Sequence, residues 1–157
     1  MLISTRGRYA VMAMAELACR EGRISRPVAL ADIAGTQQLS LCYLEQLFGG
    51  LRRAGLVTSA RGPGGGYRLK RPASMVTIAD ILAAVGEPLH ATRCVGGEPG
   101  CLPDVSGDGT ARCVTHDLWA ELGQQVSYFL SAITLADVVS GRVCGRAVAP
   151  PPLDDAA

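Results

Sequence analysis

Three cysteines and a histidine fall within residues 93–119, in the sequence RCVGGEPGCLPDVSGDGTARCVTHDLW. Six residues separate Cys94 from Cys101, eleven separate Cys101 from Cys113, and two separate Cys113 from His116. Thiolate and imidazole are side chains that bind zinc and iron–sulfur clusters. The glycines and prolines between them let the loop turn so that four donors reach one centre. The segment is therefore a candidate metal site with these four residues as ligands.

Spacing alone leaves three kinds of chemistry open at this segment. A closed tetrahedral zinc site fits the residues, an iron–sulfur cluster would use three thiolates and one imidazole, and reversible disulfide formation would need no metal. Cys113 and His116 lie at the start of a predicted helix, whose positive end favours thiolate and a negatively charged cluster. Asp104 and Asp108 are alternative ligands in the same loop, although solvated loop carboxylates are far commoner.

The length and the apolar pattern set the class of protein. A chain of 157 residues can bury a hydrophobic core without disulfide bonds. Glu16 and Arg20 interrupt the first apolar stretch too early for a signal peptide or a membrane span. We therefore expect a cytoplasmic protein with no membrane partner. Thiols stay reduced in that compartment, so clustered cysteines favour metal binding or redox chemistry over structural disulfides.

Charge is distributed unevenly along the chain. Residues 1–71 hold 11 Lys or Arg and 4 Asp or Glu, whereas residues 72–157 hold 4 and 10. The near-neutral total of +1 conceals this difference. Such asymmetry predicts a basic module that meets a polyanion, joined to an acidic part with another role.

Because no nucleophile with a partner base is apparent, we do not expect an enzyme.

Two short helices followed by a third form a helix-turn-helix candidate. The pattern predicts helices over residues 5–20, 30–38 and 40–57, with Ser40 as the N-cap of the third. At 100° per residue, one side of the third helix is apolar and belongs to the core: Leu41, Leu44, Leu47, Phe48 and Leu51. The opposite side is expected to be exposed, and it carries Cys42, Gln46, Gly49 and Arg53, flanked by Tyr43 and Glu45.

The exposed side of the third helix suits DNA bases and phosphates. Gln46 can pair with adenine through two hydrogen bonds, and Glu45 can accept from cytosine. Tyr43 or Arg53 can contact backbone phosphate. Gly49 and Gly50, both placed on this side, would let a phosphate backbone approach closely.

A glycine-rich hairpin is predicted directly after the third helix. Residues 56–72, LVTSARGPGGGYRLKRP, indicate a strand, a turn and a second strand, which makes the unit a winged helix. Glycines 62, 64, 65 and 66 would remove side chains where the wing meets the sugar-phosphate backbone. The arginines and the lysine would neutralise phosphate charge; they are Arg61, Arg68, Lys70 and Arg71.

Two further helices are predicted beyond the wing. Thr77 caps a short one over residues 77–86, and Thr115 caps a longer one. Along the longer helix, apolar residues recur at alternating spacings of three and four: Trp119, Leu122, Val126, Phe129 and Ile133. Such a seam meets another helix, and we favour a two-fold homodimer over burial against the first helix of the same chain.

The expected fold class is mainly α with a small β-hairpin, namely a winged helix-turn-helix domain plus a long dimerisation helix. The predicted organisation is a DNA-binding domain over residues 1–86, a cysteine-rich cluster-binding loop over 87–117, a dimerisation helix region over 118–141 and a disordered tail over 142–157. Cys144, next to that tail, has no role that the sequence reveals.

Several motifs occur in an order that resembles one known family. STRGRYAVMAM, SLCYLEQLFGGLRRAGLV, RGPGGGYRL, ATRC and CVTHDLW together are similar to the IscR-type iron–sulfur cluster regulators, a family of bacterial winged-helix transcription factors. The likeness runs from residue 1 to about residue 140. It implies a homodimer that senses cluster supply through a 2Fe-2S cluster held by Cys94, Cys101, Cys113 and His116. It also implies DNA reading by the helix that holds Tyr43, Glu45 and Gln46, and a wing that begins at Arg61.

The chain departs from the family's pattern at two places. The interval between Cys101 and Cys113 is longer than the family's usual spacing, as if LPDVSGDGTAR were an insertion. Cys42 stands where the family usually has serine. A thiol there is either a harmless replacement for serine or a group whose oxidation would weaken DNA binding.

We expect a repressor that binds palindromic double-stranded promoter DNA, controls genes for iron–sulfur cluster assembly and receives its 2Fe-2S cluster from the assembly machinery. The expected DNA-binding residues are Arg8, Ser40, Cys42, Tyr43, Glu45, Gln46, Arg53, Arg61, Gly62 and Gly64. Alternatives are a thiol-redox regulator, a regulator that responds to nitric oxide or iron, and a zinc-stabilised DNA-binding module without sensing.

Overall fold

A computed structural model describes residues 3–87 and 114–145. The helices are α1 (Thr5–Glu21), α2 (Leu30–Gln37), α3 (Leu41–Arg53), α4 (Ile78–Ala84), α5 (His116–Ala132) and α6 (Leu135–Val139). The strands β1 (Val57–Ala60) and β2 (Gly66–Leu69) form one antiparallel hairpin, and a 3₁₀ turn covers Ala73–Met75. This is a mainly helical chain with a two-stranded hairpin after a helix-turn-helix, so the predicted winged-helix fold class is confirmed.

A left-handed residue makes the turn between α2 and α3. Gln38 has φ 53° and its backbone N–H donates to the carbonyl of Ala34, which closes the end of α2. Ser40 then occupies the N-cap position of α3, as predicted, with extended backbone angles. Its side chain makes no capping hydrogen bond to this helix in the part of the chain that the structure describes.

The third helix ends earlier than the predicted residue 57. Gly55 has φ 74°, and the backbone N–H of Leu56 donates to the carbonyl of Leu51 at 3.0 Å, while that of Gly55 donates to Arg52. These two bonds form a Schellman motif, which stops a helix and satisfies its last carbonyls. The chain therefore leaves α3 at Arg53 and enters β1 at Val57.

The hairpin is joined to the segment before α2. Val28 and Tyr67 form an isolated antiparallel bridge, with hydrogen bonds of 2.9 and 2.8 Å in the two directions. The Tyr67 ring also meets the buried Phe48 of α3 edge to face. The position of the wing relative to α3 is thus fixed through both backbone and side chains.

The chain beyond residue 114 returns to the core of the N-terminal helices. Ile78 donates its N–H to the carbonyl of Ile133 at 2.9 Å, and Leu135 donates to Val76 at 2.8 Å. Ile133 and Leu135 are buried among the residues of α1 and α4. Thr77 caps α4 in a reciprocal pair with Asp80, which confirms the predicted cap.

The long helix α5 leaves most of its predicted seam exposed. Trp119, Leu122 and Phe129 are 39%, 41% and 40% exposed, so burial against α1 is not what the described residues show. Val126 is half-buried. Ile133 lies just beyond the end of α5 and is buried in the core because the chain there pairs with Ile78. Thr115 lies at the predicted N-cap position, and its hydroxyl accepts from the Trp119 indole N–H rather than capping the helix.

Among the described helices, none combines the length and apolar character needed to cross a bilayer.

Candidate nucleic-acid interface and cysteine site

The exposed side of α3 carries the predicted base-reading residues. Cys42, Glu45, Gln46 and Arg53 are all exposed, as the helical pattern predicts. Leu44, Leu47, Phe48 and Leu51 are buried, so this part of the core assignment is confirmed. The prediction for Leu41 was wrong: its side chain is 43% exposed, because the first residue of α3 projects past the edge of the core.

The two glycines of α3 have different roles, and placing both on the exposed side was wrong. A Cβ on Gly49 would meet no atom within 4 Å, so this position does leave an open surface. Gly50 is buried, and a Cβ there would lie 2.9 Å from the carbonyl oxygen of Ala84. Gly50 therefore allows α3 and α4 to pack closely, and Gly49 alone leaves room for a phosphate backbone.

Tyr43 joins α3 to α1. Its ring is half-buried and meets Tyr9 edge to face, with 6.1 Å between the ring centroids and 84° between the planes. Such a contact holds the ring in place and contributes about 0.5–1.5 kcal/mol beyond area burial. The Tyr43 hydroxyl, the predicted phosphate contact, is thereby carried on a fixed ring.

At the wing, glycine serves two separate purposes. Gly62 and Gly64 are exposed, have φ of 95° and 77°, and would have open space around an added Cβ. A Cβ on Gly65 would lie 2.5 Å from the carbonyl oxygen of Ala60, and one on Gly66 would clash with the backbone of Val28. Gly62 and Gly64 thus leave open space at the wing, whereas Gly65 and Gly66 are required by close contacts within the chain. A role of the first two at the sugar-phosphate backbone stays a prediction.

Part of the wing's positive charge is neutralised within the protein. Arg68 lies 3.6 Å from Glu21, and Arg71 lies 3.7 Å from Asp80. Arg61, by contrast, is exposed and makes no ion pair with any residue that the structure describes. Fewer unpaired positive side chains therefore remain at the wing than the sequence predicts, because Arg68 and Arg71 are paired with carboxylates of the protein.

Two contacts near this surface were missed by sequence reasoning. Arg52 donates to the Ser59 hydroxyl at 3.5 Å, which ties the end of α3 to β1. Ser4 caps α1, the helix that carries the exposed Arg8, and is itself bound by the carboxylate of Glu87. A serine before an apolar helical pattern is a recognisable N-cap signal, whereas the distant glutamate leaves no local signal.

One of the four predicted metal ligands can be placed. His116 is half-buried and is the first residue of α5, at the positive end of a helix of 17 residues. A negatively charged group held there would be stabilised by the helix dipole, so this position fits an anionic cluster. Cys94, Cys101 and Cys113 lie outside the described residues, and within residues 3–87 and 114–145 no group of three or more His, Cys, Asp or Glu could hold a metal ion.

The described chain also holds three reduced cysteines in different settings. Cys42 is exposed on α3, Cys144 is exposed near residue 145, and Cys19 is half-buried on α1. Of these, Cys42 alone lies on the side of α3 that carries Gln46.

Comparison with known proteins agrees with this geometry. The family described as Rrf2, iron-dependent transcriptional regulator, matches residues 3–141. The chain is 47% identical over 142 residues to the HTH-type transcriptional regulator IscR of Yersinia pestis, which covers 90% of this chain and 81% of that protein. It is 49% identical over 140 residues to a protein of Azotobacter vinelandii named "Putative HTH-type transcriptional regulator ORF2", which covers 89% of this chain and 80% of that protein.

Solved structures show the same similarity in three dimensions. T. potens IscR superposes with a TM-score of 0.69 at 33% identity, covering 96% of this chain and 94% of that one. CymR, described as the global cysteine regulator of B. subtilis, superposes with a TM-score of 0.70 at 35% identity, covering 90% and 98%. The similarity therefore extends beyond the winged helix to the long helix that follows it.

Proposed function

The chain belongs to the Rrf2 family of DNA-binding transcriptional regulators, and we propose from this premise that it is a cytoplasmic repressor whose DNA affinity depends on a 2Fe-2S cluster. It is a regulator and not an enzyme, in keeping with its relatives. The observation that carries the proposal is the exposed polar side of α3 followed directly by the hairpin that bears Arg61 and is joined to α3 through Phe48 and Tyr67. The same chain also contains the Cys94, Cys101, Cys113 and His116 set.

DNA reading is assigned to the first half of α3. Gln46 makes a bidentate contact with adenine, and Glu45 accepts a hydrogen bond from cytosine. Both side chains are exposed on a helix whose other side is anchored in the core. Ser40, Cys42 and Tyr43 lie at the start of the same helix, where the backbone of the DNA would pass.

Phosphate contacts are assigned to the rim of this surface. Arg53 lies at the end of α3, Arg61 lies at the wing and Arg8 lies in the first turn of α1. Gly62 and Gly64 carry no side chain at the wing tip, so the tip can approach the sugar-phosphate backbone. These contacts fix orientation and supply the salt-dependent part of the affinity, whereas α3 supplies the sequence preference.

The proposed cluster ligands are Cys94, Cys101, Cys113 and His116. A 2Fe-2S cluster, when bound, would supply a labile group whose presence reports cluster supply in the cell. His116 must be neutral to act as a ligand, so protons compete with the cluster at this position. The proposed targets are genes for cluster assembly, and the assembly machinery is the proposed cluster donor.

A homodimer is proposed from the exposed face of α5. Three large apolar side chains of that helix are exposed, namely Trp119, Leu122 and Phe129. Exposed apolar residues that recur at this spacing are typical of a helix that packs against a partner. A two-fold dimer would present two α3 helices to the two halves of a palindromic site.

A thiol-redox regulator is the second candidate. Its support is the exposed thiol of Cys42 on the DNA-facing side of α3. Oxidation there would place added bulk between α3 and the major groove. This candidate needs no metal and would respond to peroxide in a cluster-free protein.

Anaerobic purification of the full chain, followed by a visible absorption spectrum and iron, sulfide and zinc analysis, tests the two candidates. About two irons and two sulfides per chain, with a colour that bleaches in air, would support cluster sensing. A colourless protein that contains zinc, or no metal even after anaerobic reconstitution, would exclude the 2Fe-2S proposal. Retention of DNA binding by a Cys42→Ser variant under peroxide, where the wild type loses it, would favour the thiol switch.

A further inference from the structure

The N-terminal end of α1 is bound to the residue that follows the turn after α4. The backbone N–H of Ser4 donates to Glu87 Oε1 at 2.7 Å, and the Ser4 hydroxyl donates to Glu87 Oε2. The same hydroxyl oxygen accepts from the backbone N–H of Gly7 at 3.2 Å, as the N-cap of α1. Ser4 is therefore the shared partner of a helix end and of a carboxylate 83 residues away.

Glu87 supplies a negative charge that the first turn of α1 lacks. This turn contains no acidic residue, and Arg6 and Arg8 lie in or next to it. The first N–H groups of a helix carry partial positive charge, and a nearby carboxylate stabilises them. The two arginines add to the positive charge at this end of the helix, which the Glu87 carboxylate partly offsets.

Close packing holds the carboxylate in place. A Cβ on Gly7 would lie 3.1 Å from Glu87 Cγ and 2.9 Å from Leu82 Cδ2, so position 7 must be small for the two segments to approach. Gly86 has φ 71° and turns the chain just before Glu87, whose own N–H donates to the Leu82 carbonyl at 3.0 Å. The backbone at the end of α4 thus determines where the carboxylate lies.

We propose that Glu87 is a positioning residue for DNA binding, which orders the first turn of α1 through Ser4 and so holds Arg8 toward a backbone phosphate. This inference rests on the proposed function, in which Arg8 contacts DNA. The backbone N–H of Arg8 donates to the Ser4 carbonyl at 3.0 Å. Ser4, which is bound by Glu87, therefore also holds the backbone of Arg8 in the first turn of α1.

A double-mutant cycle on the full-length, metal-free chain tests the proposal. The probe is a DNA duplex selected from a random pool by the wild-type protein, and the variants are Glu87→Ala and Arg8→Ala, alone and combined. Glu87→Ala is expected to weaken binding about fivefold, the size of a lost helix cap. In the Arg8→Ala background the same change is expected to have less than about a twofold effect, since the two residues act as a unit.

Salt dependence provides a readout that a purely structural role would not change. Both Glu87→Ala and Arg8→Ala are expected to reduce the slope of log Kd against log salt by about one phosphate contact. Ser4→Ala should behave like Glu87→Ala, whereas Ser4→Thr keeps the hydroxyl and should bind close to the wild type. Glu121→Ala removes an exposed carboxylate on α5 and is the matched control with unchanged affinity.

The outcomes separate this inference from the proposed function. Unchanged affinity in Glu87→Ala, a fivefold loss that persists in the Arg8→Ala background, or a normal salt slope would each overturn it. Should Glu87→Ala fail to fold, the isosteric Glu87→Gln takes its place in the cycle. If the wild-type chain selects no duplex from the pool, the proposed DNA-binding function fails instead.

Discussion

The rings of Phe48 and Tyr67 meet edge to face, with 4.9 Å between their centroids and 66° between their planes. Phe48 belongs to α3 and Tyr67 to strand β2 of the wing. The pair therefore connects the two elements that are proposed to touch DNA, on the core side of both. It sets how far the wing lies from α3, which is a requirement for both to reach one duplex.

Truncation of Phe48 should remove much of the stability of the domain. Phe48 is fully buried, so Phe48→Ala leaves a cavity and is expected to lower the free energy of unfolding by about 3–5 kcal/mol. Urea denaturation followed by circular dichroism measures the change. Met75→Ala, at a side chain that is 62% exposed, should change the free energy by less than about 0.5 kcal/mol. Equal effects of the two substitutions would contradict the core assignment.

Gly49 and Gly50 form a matched pair that separates packing from DNA access. Gly50→Ala places a Cβ 2.9 Å from the Ala84 carbonyl and is expected to destabilise the fold by about 1–3 kcal/mol. Gly49→Ala has open space and is expected to stabilise α3 by up to about 1 kcal/mol, because alanine is the better helix former. Thermal unfolding of both variants measures this. If Gly50→Ala were as stable as Gly49→Ala, α3 would not pack on α4 through Gly50.

These glycines also show where sequence reasoning reaches its limit. The 3.6-residue period located the buried side of α3 correctly at Leu44, Leu47 and Leu51, since burial there follows from the helix alone. The period could not assign Gly50, because its neighbour is the Ala84 carbonyl of a different helix. Contacts that depend on how two elements cross are tertiary contacts, and the local sequence periodicity of one helix does not indicate them.

The same distinction applies to helix ends and to the candidate site. Thr77 was recognised as a cap because a capping residue stands directly before its helix in the sequence, and Asp80, which the structure shows as its reciprocal partner, lies only three residues away. The end of α3 was misplaced because Gly55 was taken as part of the helix, although its positive φ terminates it. The bond between Ser4 and Glu87 spans 83 residues and was not foreseen. The ligand roles of the cysteines stay predictions.

Substitution of Gln46 should change which DNA sequence is preferred. Gln46→Ala is expected to relax discrimination at one base pair by about 1–3 kcal/mol, because a bidentate contact to adenine is lost. Competition binding with a set of single-base variants of the selected duplex measures this. Arg53→Ala is the companion variant, and it should weaken binding to every sequence alike and reduce the salt slope by about one. A uniform loss in Gln46→Ala would make Gln46 a backbone contact.

The histidine ligand should set how readily the cluster is lost. His116→Cys replaces an imidazole with a thiolate, which binds iron more tightly, so cluster loss in air is expected to be slower than in the wild type. Loss is followed by the decay of visible absorption after anaerobic reconstitution. Asp117→Asn, at the next residue of the same helix turn, serves as the control and should leave the decay rate unchanged. A wild-type decay rate in His116→Cys would remove His116 from the ligand set.

A charge on the exposed face of α5 should break the proposed homodimer. Leu122 is 41% exposed in the single chain, and a two-fold interface would bring the substituted side chains of both copies into apolar surroundings. Leu122→Glu is therefore expected to raise the dimer dissociation constant about tenfold or more, through desolvation and like-charge repulsion. Sedimentation velocity across a concentration series measures it. The control is Gln124→Glu, on another side of α5, which should leave the dimer dissociation constant within about twofold. A wild-type chain that is monomeric at all concentrations would refute the α5 interface.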